Sequence, residues 1–587
     1  MTDATTVGHR FRLTPEQARH VDEALRRALD EDWVGRLWAR DPSLWTTDEH
    51  VAGLIAQRLG WLDLASDFAD RVEELEAFAG ALRQEGFSAA VVCGMGGSSL
   101  APEVLAASLP RGESGMPVRI LDSTDPVAVR LATGASDPAQ TMYLIASKSG
   151  STTETLAFLA HFWKVEDDIH ADIPQGLAGQ HFVAISDPAP SVTAIPHSDL
   201  YREVFLNPVD VGGRYSALSY VGLVPAALLA LDMRSLVGAA AQMAEDCRSP
   251  SRDNPGLWLG VTMGALARAG RDKLTLVIEP RTAHLGAWIE QLVAESTGKR
   301  GVGIVPVDGE ALGDPGVYSD DRVFVRISSG AEHAWQASTD AALDALAATG
   351  HPVVDLMTDG GAKGIGTEFM RWEVATALAG TLLGINPFDE PNVTESKEAT
   401  RRVLEEFRET GMLPADEPLS GEGPLTLIGD APLRLTAGHD GMANELRRHL
   451  ARAKERGYIS LHAYIAQTPE RDTALRSIAQ LLRDRTGRAV TVGYGPRFLH
   501  STGQLHKGGP AVGCFLQLTA GHPDDLPIPG WHESFGTLID AQAAGDFTAL
   551  EAHELPVARI NLSADPDAGL KALRVVLTQA LGKSAKR

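Results

Sequence analysis

Cysteine, aromatic residues and positive charge are all scarce in this sequence. The three cysteines, Cys93, Cys247 and Cys514, lie far apart and form no CxxC pair. This spacing argues against a disulfide framework or a zinc knuckle and favours a reducing, cytoplasmic location. The formal net charge of −24 would repel a polyphosphate backbone, and we find no compensating basic patch,. We therefore predict no nucleic-acid partner.

Long apolar runs are also missing. The stretch "YVGLVPAALLALDM" is too short to span a bilayer and is interrupted by proline, and the N-terminal "MTDATTVGHRFRLTPEQ" has no apolar signal region,. We predict a soluble protein without a membrane partner. At 587 residues, with 44% hydrophobic and 22% charged residues, the chain has the composition of a globular protein with more than one domain,.

What the sequence does contain is an alternation of short apolar strands and helices. Strand patterns such as "SAAVVCGMGG", "TMYLIASKSG" and "KLTLVIEP" alternate with helical ones, which predicts an α/β fold with doubly wound parallel sheets. We expect an N-terminal helical segment over 1–84, a first α/β domain over 85–240 and a second over 241–587. Within the second, 398–455 is predicted to be a polar, helix-rich connection.

Two polar loops follow predicted strands. "SKSGSTTET", residues 147–155, carries six hydroxyl side chains and Lys148 directly after "TMYLIA", and "GMGGSS" ends the first strand. Ligands of open α/β sheets gather at such strand ends, where helix N-termini attract anions. Helix capping is the alternative, but it needs only one or two hydroxyls, so we predict a phosphate site. Neither loop fits the NAD or ATP fingerprints.

Six segments together resemble phosphoglucose isomerase, a family built from two sugar-isomerase (SIS) domains: "GMGGSSLAPEV", "SKSGSTTET", "VGGRYSALS", "EQLVAESTGK", "INPFDEPNVTESK" and "FLHSTGQ". Within that family, the chain resembles in particular the isomerase part of transaldolase and phosphoglucose isomerase fusions. The resemblance implies interconversion of glucose 6-phosphate and fructose 6-phosphate by ring opening and proton transfer through a cis-enediol. It implies no cofactor and no metal, and a possible homodimer.

The same resemblance assigns roles to individual residues. The catalytic group would consist of a base, a cation for the enediolate and two ring-opening residues: Glu295, Arg214, Lys397 and His500. The residues expected to hold the phosphate are Ser98, Ser147, Lys148, Ser149, Thr152 and Thr155. Gln291 and Glu390 would contact the sugar. Glu154, inside the phosphate loop, is expected to turn away because its carboxylate would oppose the ligand.

Glu295 also has a physical argument in its favour. Helical spacing places it on one stripe with Trp288 and Gln291, near the negative end of a helix,. Apolar neighbours and that helix end both disfavour ionisation, so we predict a raised pKa, as a base that attacks a carbon acid requires. A solvent-facing glutamate is the ordinary alternative.

Two features depart from the family pattern. Glu390 stands where glutamine is usual, which places a carboxylate near a dianionic substrate unless a cation pairs with it. His500 follows Lys397 by about a hundred positions, although the family's histidine precedes the lysine. His500 could therefore come from the same chain instead of a partner subunit, and His506 is a competitor for its role. A phosphomannose isomerase activity and a non-catalytic phosphosugar sensor stay open as alternatives.

Overall fold

The computed structural model describes residues 2–6, 9–170, 177–414 and 417–582. The strands in this part of the chain are β1 (Thr2–Thr6), β2 (His9–Leu13), β3 (Ala89–Gly94), β4 (Val118–Leu121), β5 (Thr141–Ala146), β6 (Phe182–Ser186), β7 (Glu203–Leu206), β8 (Lys273–Ile278), β9 (Val305–Val307), β10 (Arg322–Ser328), β11 (Val353–Met357), β12 (Ser420–Glu422), β13 (Leu425–Gly429), β14 (Tyr458–Tyr464), β15 (Ala489–Tyr494), β16 (Gly513–Thr519) and β17 (Val557–Asn561).

Helices connect the strands and cover the sheets. They are α1 (Pro15–Asp30), α2 (Trp33–Trp38), α3 (Glu49–Ala56), α4 (Leu64–Asp67), α5 (Val72–Gln84), α6 (Gly97–Ser108), α7 (Pro126–Thr133), α8 (Thr153–Ile169), α9 (Tyr220–Leu228), α10 (Met233–Asp246), α11 (Pro255–Arg268), α12 (Leu285–Thr297), α13 (His333–Ala348), α14 (Gly361–Leu383), α15 (Val393–Thr410), α16 (Ala431–Leu435), α17 (Met442–Ala451), α18 (Pro469–Thr486), α19 (Gly503–Gly508), α20 (Phe535–Ala552) and α21 (Pro566–Leu581). Among the described residues, no helix is both long and apolar enough to cross a membrane.

The strands form three sheets. The first has the order β4-β3-β5-β6-β7 and is parallel throughout. The second has the order β1-β2-β11-β10-β8-β9, in which β1 and β2 run antiparallel at one edge. The third has the order β12-β13-β17-β16-β14-β15, again with an antiparallel edge. The predicted α/β class with parallel sheets is confirmed.

The number of sheets differs from the prediction. The region 241–587, expected to be one domain, contributes strands to two sheets, and 398–455 supplies β12 and β13 to the third sheet in addition to helices. The N-terminal segment 1–84, expected to be helical, also pairs β2 with β11. The reason is that hydrogen bonding between strands far apart in sequence decides sheet membership. The β13 sequence, LTLIG, is itself an apolar strand pattern that the expectation of a helix-rich connection did not include.

The first two sheets share one hydrophobic core, whereas the third sheet has a core of its own. The long helix α14 packs between α10, α11 and α12 and is buried along most of its length. The third sheet and the helices that cover it, here called the third unit, contact the rest at several places. Tyr458 and Phe515 share a small core with Val305 of the second sheet, and α15 packs against α20. At this crossing a Cβ on Gly545 would lie 2.6 Å from the backbone nitrogen of Thr400, so only glycine permits the approach,. Helix α15 thereby connects the third unit to the first sheet.

Candidate active site

The predicted phosphate loop runs from the end of β5 to the start of α8. Gly150 has a positive φ of 68°, and a Cβ there would lie 1.9 Å from the Ser191 carbonyl oxygen, so the loop requires glycine,. Thr152, the N-cap residue of α8, directs its hydroxyl to Ser147 Oγ at 3.0 Å. This arrangement leaves the first N–H groups of the helix available to an anion. The hydroxyls are thus arranged as an anion site requires.

A cavity of about 420 Å³ opens in front of this loop. Ser149 and Thr152 line it from the loop, Lys397 from α15, and His500 from the turn that follows β15. These four predicted site residues therefore meet in one place, although they come from the first sheet, from α15 and from the third unit. His500 reaches the cavity within the same chain.

His500 is paired with Glu154. Its Nε2 lies 3.0 Å from Glu154 Oε1, and Gln542 Nε2 donates a 2.7 Å hydrogen bond to the same oxygen. Burial would raise the pKa of Glu154, but the adjacent His500 charge and hydrogen bond hold that pKa below its ordinary value,. The expectation that Glu154 turns away was wrong: a histidine, distant in sequence, offsets the carboxylate that would otherwise oppose a phosphate.

Glu295 on α12 is 8% exposed and, like Gln291, Arg214 and Glu390, is not among the residues that line the cavity. The Gln291 amide, one turn earlier, donates to Glu295 Oε2 at 3.1 Å and to the His500 backbone carbonyl at 2.8 Å. Burial raises the pKa of Glu295, the Glu390 charge raises it further, and the positive charges of Arg214 and Lys299 oppose this. The predicted raised pKa is confirmed, and burial is its main cause.

Arg214 stands between the two carboxylates. It is buried, and its Nη1 lies 3.3 Å from Glu295 Oε1 and 3.0 Å from Glu390 Oε2. Its Nε donates to Ser296 Oγ at 2.8 Å, and its Nη2 donates to two backbone carbonyls of the "NPFDEP" segment. Arg214 is therefore the cation that offsets the carboxylate of Glu390, which stands where the family usually has glutamine. The guanidinium is fixed in orientation next to the predicted base.

Four other predicted phosphate ligands lie further back. Ser98 is half-buried at the start of α6, and Ser147 and Thr155 are buried, Thr155 completely. Lys148 Nζ donates to Asp187 Oδ2 at 2.6 Å, which offsets much of its charge. Their contact with a ligand stays a prediction. Ser147 already acts on the loop through its bond to Thr152.

The competing histidine, His506, belongs to the core of the third unit. It is 3% exposed, its Nδ1 lies 2.8 Å from the Tyr458 hydroxyl, and it packs against His462 and Phe515. Burial holds its pKa well below the ordinary value. His506 is therefore a neutral structural residue, and the cavity position belongs to His500.

Sequence reasoning missed several lining residues. Arg401 and Arg408 on α15 line the cavity, but each is paired with a carboxylate, Glu405 and Glu533 respectively, which offsets much of its charge. Trp531 and Gln542 line it from the C-terminal part of the chain. Arg401 lies one helical turn after Lys397, so helical spacing could have found it. Trp531 and Gln542 had no local signal.

One buried lysine beside the base was also missed. Lys299 Nζ donates to the Asn386 carbonyl at 2.6 Å and lies 2.8 Å from Asp389 Oδ1. Burial, together with the Arg214 charge, lowers its pKa to about 7,. It ends the quoted segment "EQLVAESTGK", which is the signal that could have found it.

Comparison with known proteins gives consistent results. The family model described as phosphoglucose isomerase matches residues 61–313. The curated glucose-6-phosphate isomerase of Thermus thermophilus is 30% identical over 386 residues, which cover 59% of this chain and 90% of that protein. The protein of the same name from Rubrobacter xylanophilus is 28% identical over 383 residues, covering 56% and 86%.

Solved structures extend the similarity to the fold. A hypothetical protein from Thermus thermophilus superposes with a TM-score of 0.56 at 28% identity, covering 67% of this chain and 99% of that one. A glucose-6-phosphate isomerase from Chlamydia trachomatis superposes with a TM-score of 0.52 at 17% identity, covering 69% and 90%. At 17% identity, the similarity to the Chlamydia trachomatis structure shows a shared fold alone.

Proposed function

The chain belongs to the phosphoglucose isomerase family, and we propose that it interconverts glucose 6-phosphate and fructose 6-phosphate. One observation carries this proposal: the Gln291 amide bridges the Glu295 carboxylate and the backbone of His500. The group suited to moving a proton between carbons is therefore linked, through one side-chain amide, to the turn that carries the group suited to opening the sugar ring. Sugar isomerisation needs both at once.

The phosphate is held at the start of α8. The helix N-terminus and the hydroxyls of Ser149 and Thr152 face the cavity, and Lys397 supplies positive charge there,. These groups anchor the dianion at one end of the cavity. The sugar carbons then extend towards His500 and Gln291.

The sugar ring opens on the His500 side of the cavity. The imidazole, oriented by Glu154 at 3.0 Å, exchanges a proton with the ring oxygen and the anomeric hydroxyl, with Lys397 nearby. Histidine suits this task because its ordinary pKa lies near neutrality. The buried carboxylate stabilises the imidazolium that forms during the transfer.

Glu295 then moves the carbon-bound proton. Its carboxylate removes the proton from C2 of the open-chain aldose, the electron pair forms the C1–C2 double bond, and the C1 carbonyl electrons move onto O1 to give the enediolate. A proton then passes from O2 to O1, and return of the carbon-bound proton to C1 with formation of the C2 carbonyl gives the ketose. Arg214, held at 3.3 Å from Glu295, stabilises the negative charge of the enediolate as a permanent cation,.

The location and the assembly stay predictions. A cytoplasmic location is supported by Cys93, Cys247 and Cys514, which are all buried free thiols,. A homodimer is still possible, but His500 reaches the cavity from its own chain. Catalysis in cis is therefore expected, whatever the assembly.

The test is a dehydrogenase-coupled assay of fructose 6-phosphate conversion in EDTA, comparing wild type with Glu295→Gln. We expect kcat to fall by about a thousandfold or more, because the variant lacks the proton acceptor. Glu290→Gln is the matched control. Glu290 lies on the same helix and is half-buried, and loss of solvent raises its pKa to about 8, so glutamine resembles its neutral form.

Three results would contradict the proposal. Full activity of Glu295→Gln would remove Glu295 as the base. An equal loss in Glu290→Gln would indicate a general effect on α12 instead. Tight sugar-phosphate binding by the wild type without turnover would favour a phosphosugar sensor.

A further inference from the structure

Three potential metal ligands meet at the amino ends of strands β5 and β6, opposite the strand ends that carry the phosphate loop. Glu166 and His170 lie one helical turn apart at the end of α8, and His181 directly precedes β6. One ligand atom from each residue lies within 4.8 Å of the other two. The proposed isomerase site uses none of these residues.

Glu166 has an unusual environment for a carboxylate. It is 0% exposed, and both of its oxygens lack a hydrogen-bond partner of normal geometry among the described residues. The imidazoles of His170 and His181 each lie 3.5 Å from its Oε2, but they offset its charge only when protonated. A buried carboxylate without such an offset is costly.

Two of the three separations between the donor atoms match those around a bound ion, and donor atoms of all three residues lie within 4.8 Å of one another, although the His181 nitrogen nearest Glu166 Oε2 is Nδ1, at 3.5 Å. His170 Nε2 lies 3.5 Å from Glu166 Oε2 and 3.4 Å from His181 Nε2. Ligands about 2.0–2.1 Å from a tetrahedral zinc ion lie about 3.3–3.4 Å from one another. These separations are long for direct hydrogen bonds between the side chains but close to those expected around zinc.

A backbone contact prepares His181 for this role. Its Nδ1 lies 3.1 Å from the Thr141 carbonyl oxygen, which can only accept a hydrogen bond. The Nδ1–H therefore donates to Thr141, and the lone pair of Nε2 is left facing His170. Metal-bound histidines are commonly oriented by such a bond from their second nitrogen.

We propose that Glu166, His170 and His181 bind one zinc-class divalent ion, with water as the fourth ligand. Two histidines and one glutamate form an established donor set for zinc. The ion would connect the end of α8 to the strand that follows it. Because β5 separates Thr141 from the phosphate loop by roughly 17 Å, at about 3.3 Å per residue, the role is structural. The predicted metal-free isomerisation is unaffected.

The experiment measures zinc binding directly. The full-length protein is stripped with EDTA, dialysed and titrated with Zn²⁺ alone by calorimetry, and the bound metal is counted by mass spectrometry. We expect one ion per chain and a rise in Tm on binding. Glu166→Gln, His170→Ala and His181→Ala should each weaken binding by about 100-fold or more, since each removes one of three protein ligands.

His439→Ala is the matched control, because His439 is exposed and lies in the third unit. It should bind zinc as the wild type does. Circular dichroism checks the fold of each variant, and the half-exposed His170 provides the deciding variant if His181→Ala does not fold. Absence of stoichiometric binding, or equal binding by wild type and His170→Ala, would overturn the proposal. Neither result depends on isomerase activity.

Discussion

Replacing Glu390 with glutamine should shift the pH dependence of the reaction. Glu390 and Glu295 share the Arg214 guanidinium, and the negative charge of Glu390 raises the pKa of Glu295. Glu390→Gln removes that charge while keeping a side chain of similar size. Ionised Glu295 then becomes easier to form, so its pKa falls.

The size of the shift follows from the geometry. The Glu390 and Glu295 oxygens lie 3.0 Å and 3.3 Å from the same Nη1 nitrogen, so they are at most about 6.3 Å apart. At that distance two unit charges interact by about 2.6 kcal/mol at an effective dielectric constant of about 20, which equals about 2 pKa units. The Glu390 side chain is 40% exposed. Because water screens exposed charges, we expect about one unit.

The assay is the pH profile of kcat/KM for fructose 6-phosphate, which reports ionisations of the free enzyme. Its acidic limb should move to lower pH by about one unit in Glu390→Gln. Glu398→Gln is the control, because that carboxylate is exposed and lines the cavity instead of pairing with Arg214. An acidic limb that stays in place, moves to higher pH or shifts equally in the control would refute the electrostatic coupling.

Three further predictions concern the cavity and its supports. Glu154→Gln should lower kcat by about 100-fold with little change in KM, because the carboxylate orients His500. Steady-state kinetics measures both constants, and a thermal melt checks the fold. An unchanged kcat would contradict the prediction. His506→Ala should lower the free energy of unfolding by about 2–4 kcal/mol while the folded fraction keeps its kcat. Denaturant titration measures the loss of stability. A variant that is fully stable but inactive would contradict a structural role for His506. Gly150→Ala should raise KM about tenfold or more, since the added Cβ meets the Ser191 carbonyl oxygen,; a wild-type KM would show that the loop tolerates the change.

Local patterns were enough to predict much of this protein. The apolar strand "TMYLIA" followed by "SKSGSTTET" predicted a loop at a strand end that opens onto a cavity. The stripe on α12 predicted that Glu295 is buried with a raised pKa. These features depend on hydrophobic periodicity and on neighbours within one or two helical turns, which the sequence states directly.

The tertiary structure alone decided how distant segments combine. A third sheet, not expected from the sequence, delivers His500 to the cavity and pairs it with Glu154. Arg214 joins Glu295 to Glu390. At the amino ends of β5 and β6, Glu166, His170 and His181 bring their donor atoms together. Such contacts join residues that can lie hundreds of positions apart. They arise from strand pairing and helix packing across the whole chain, which local patterns do not encode.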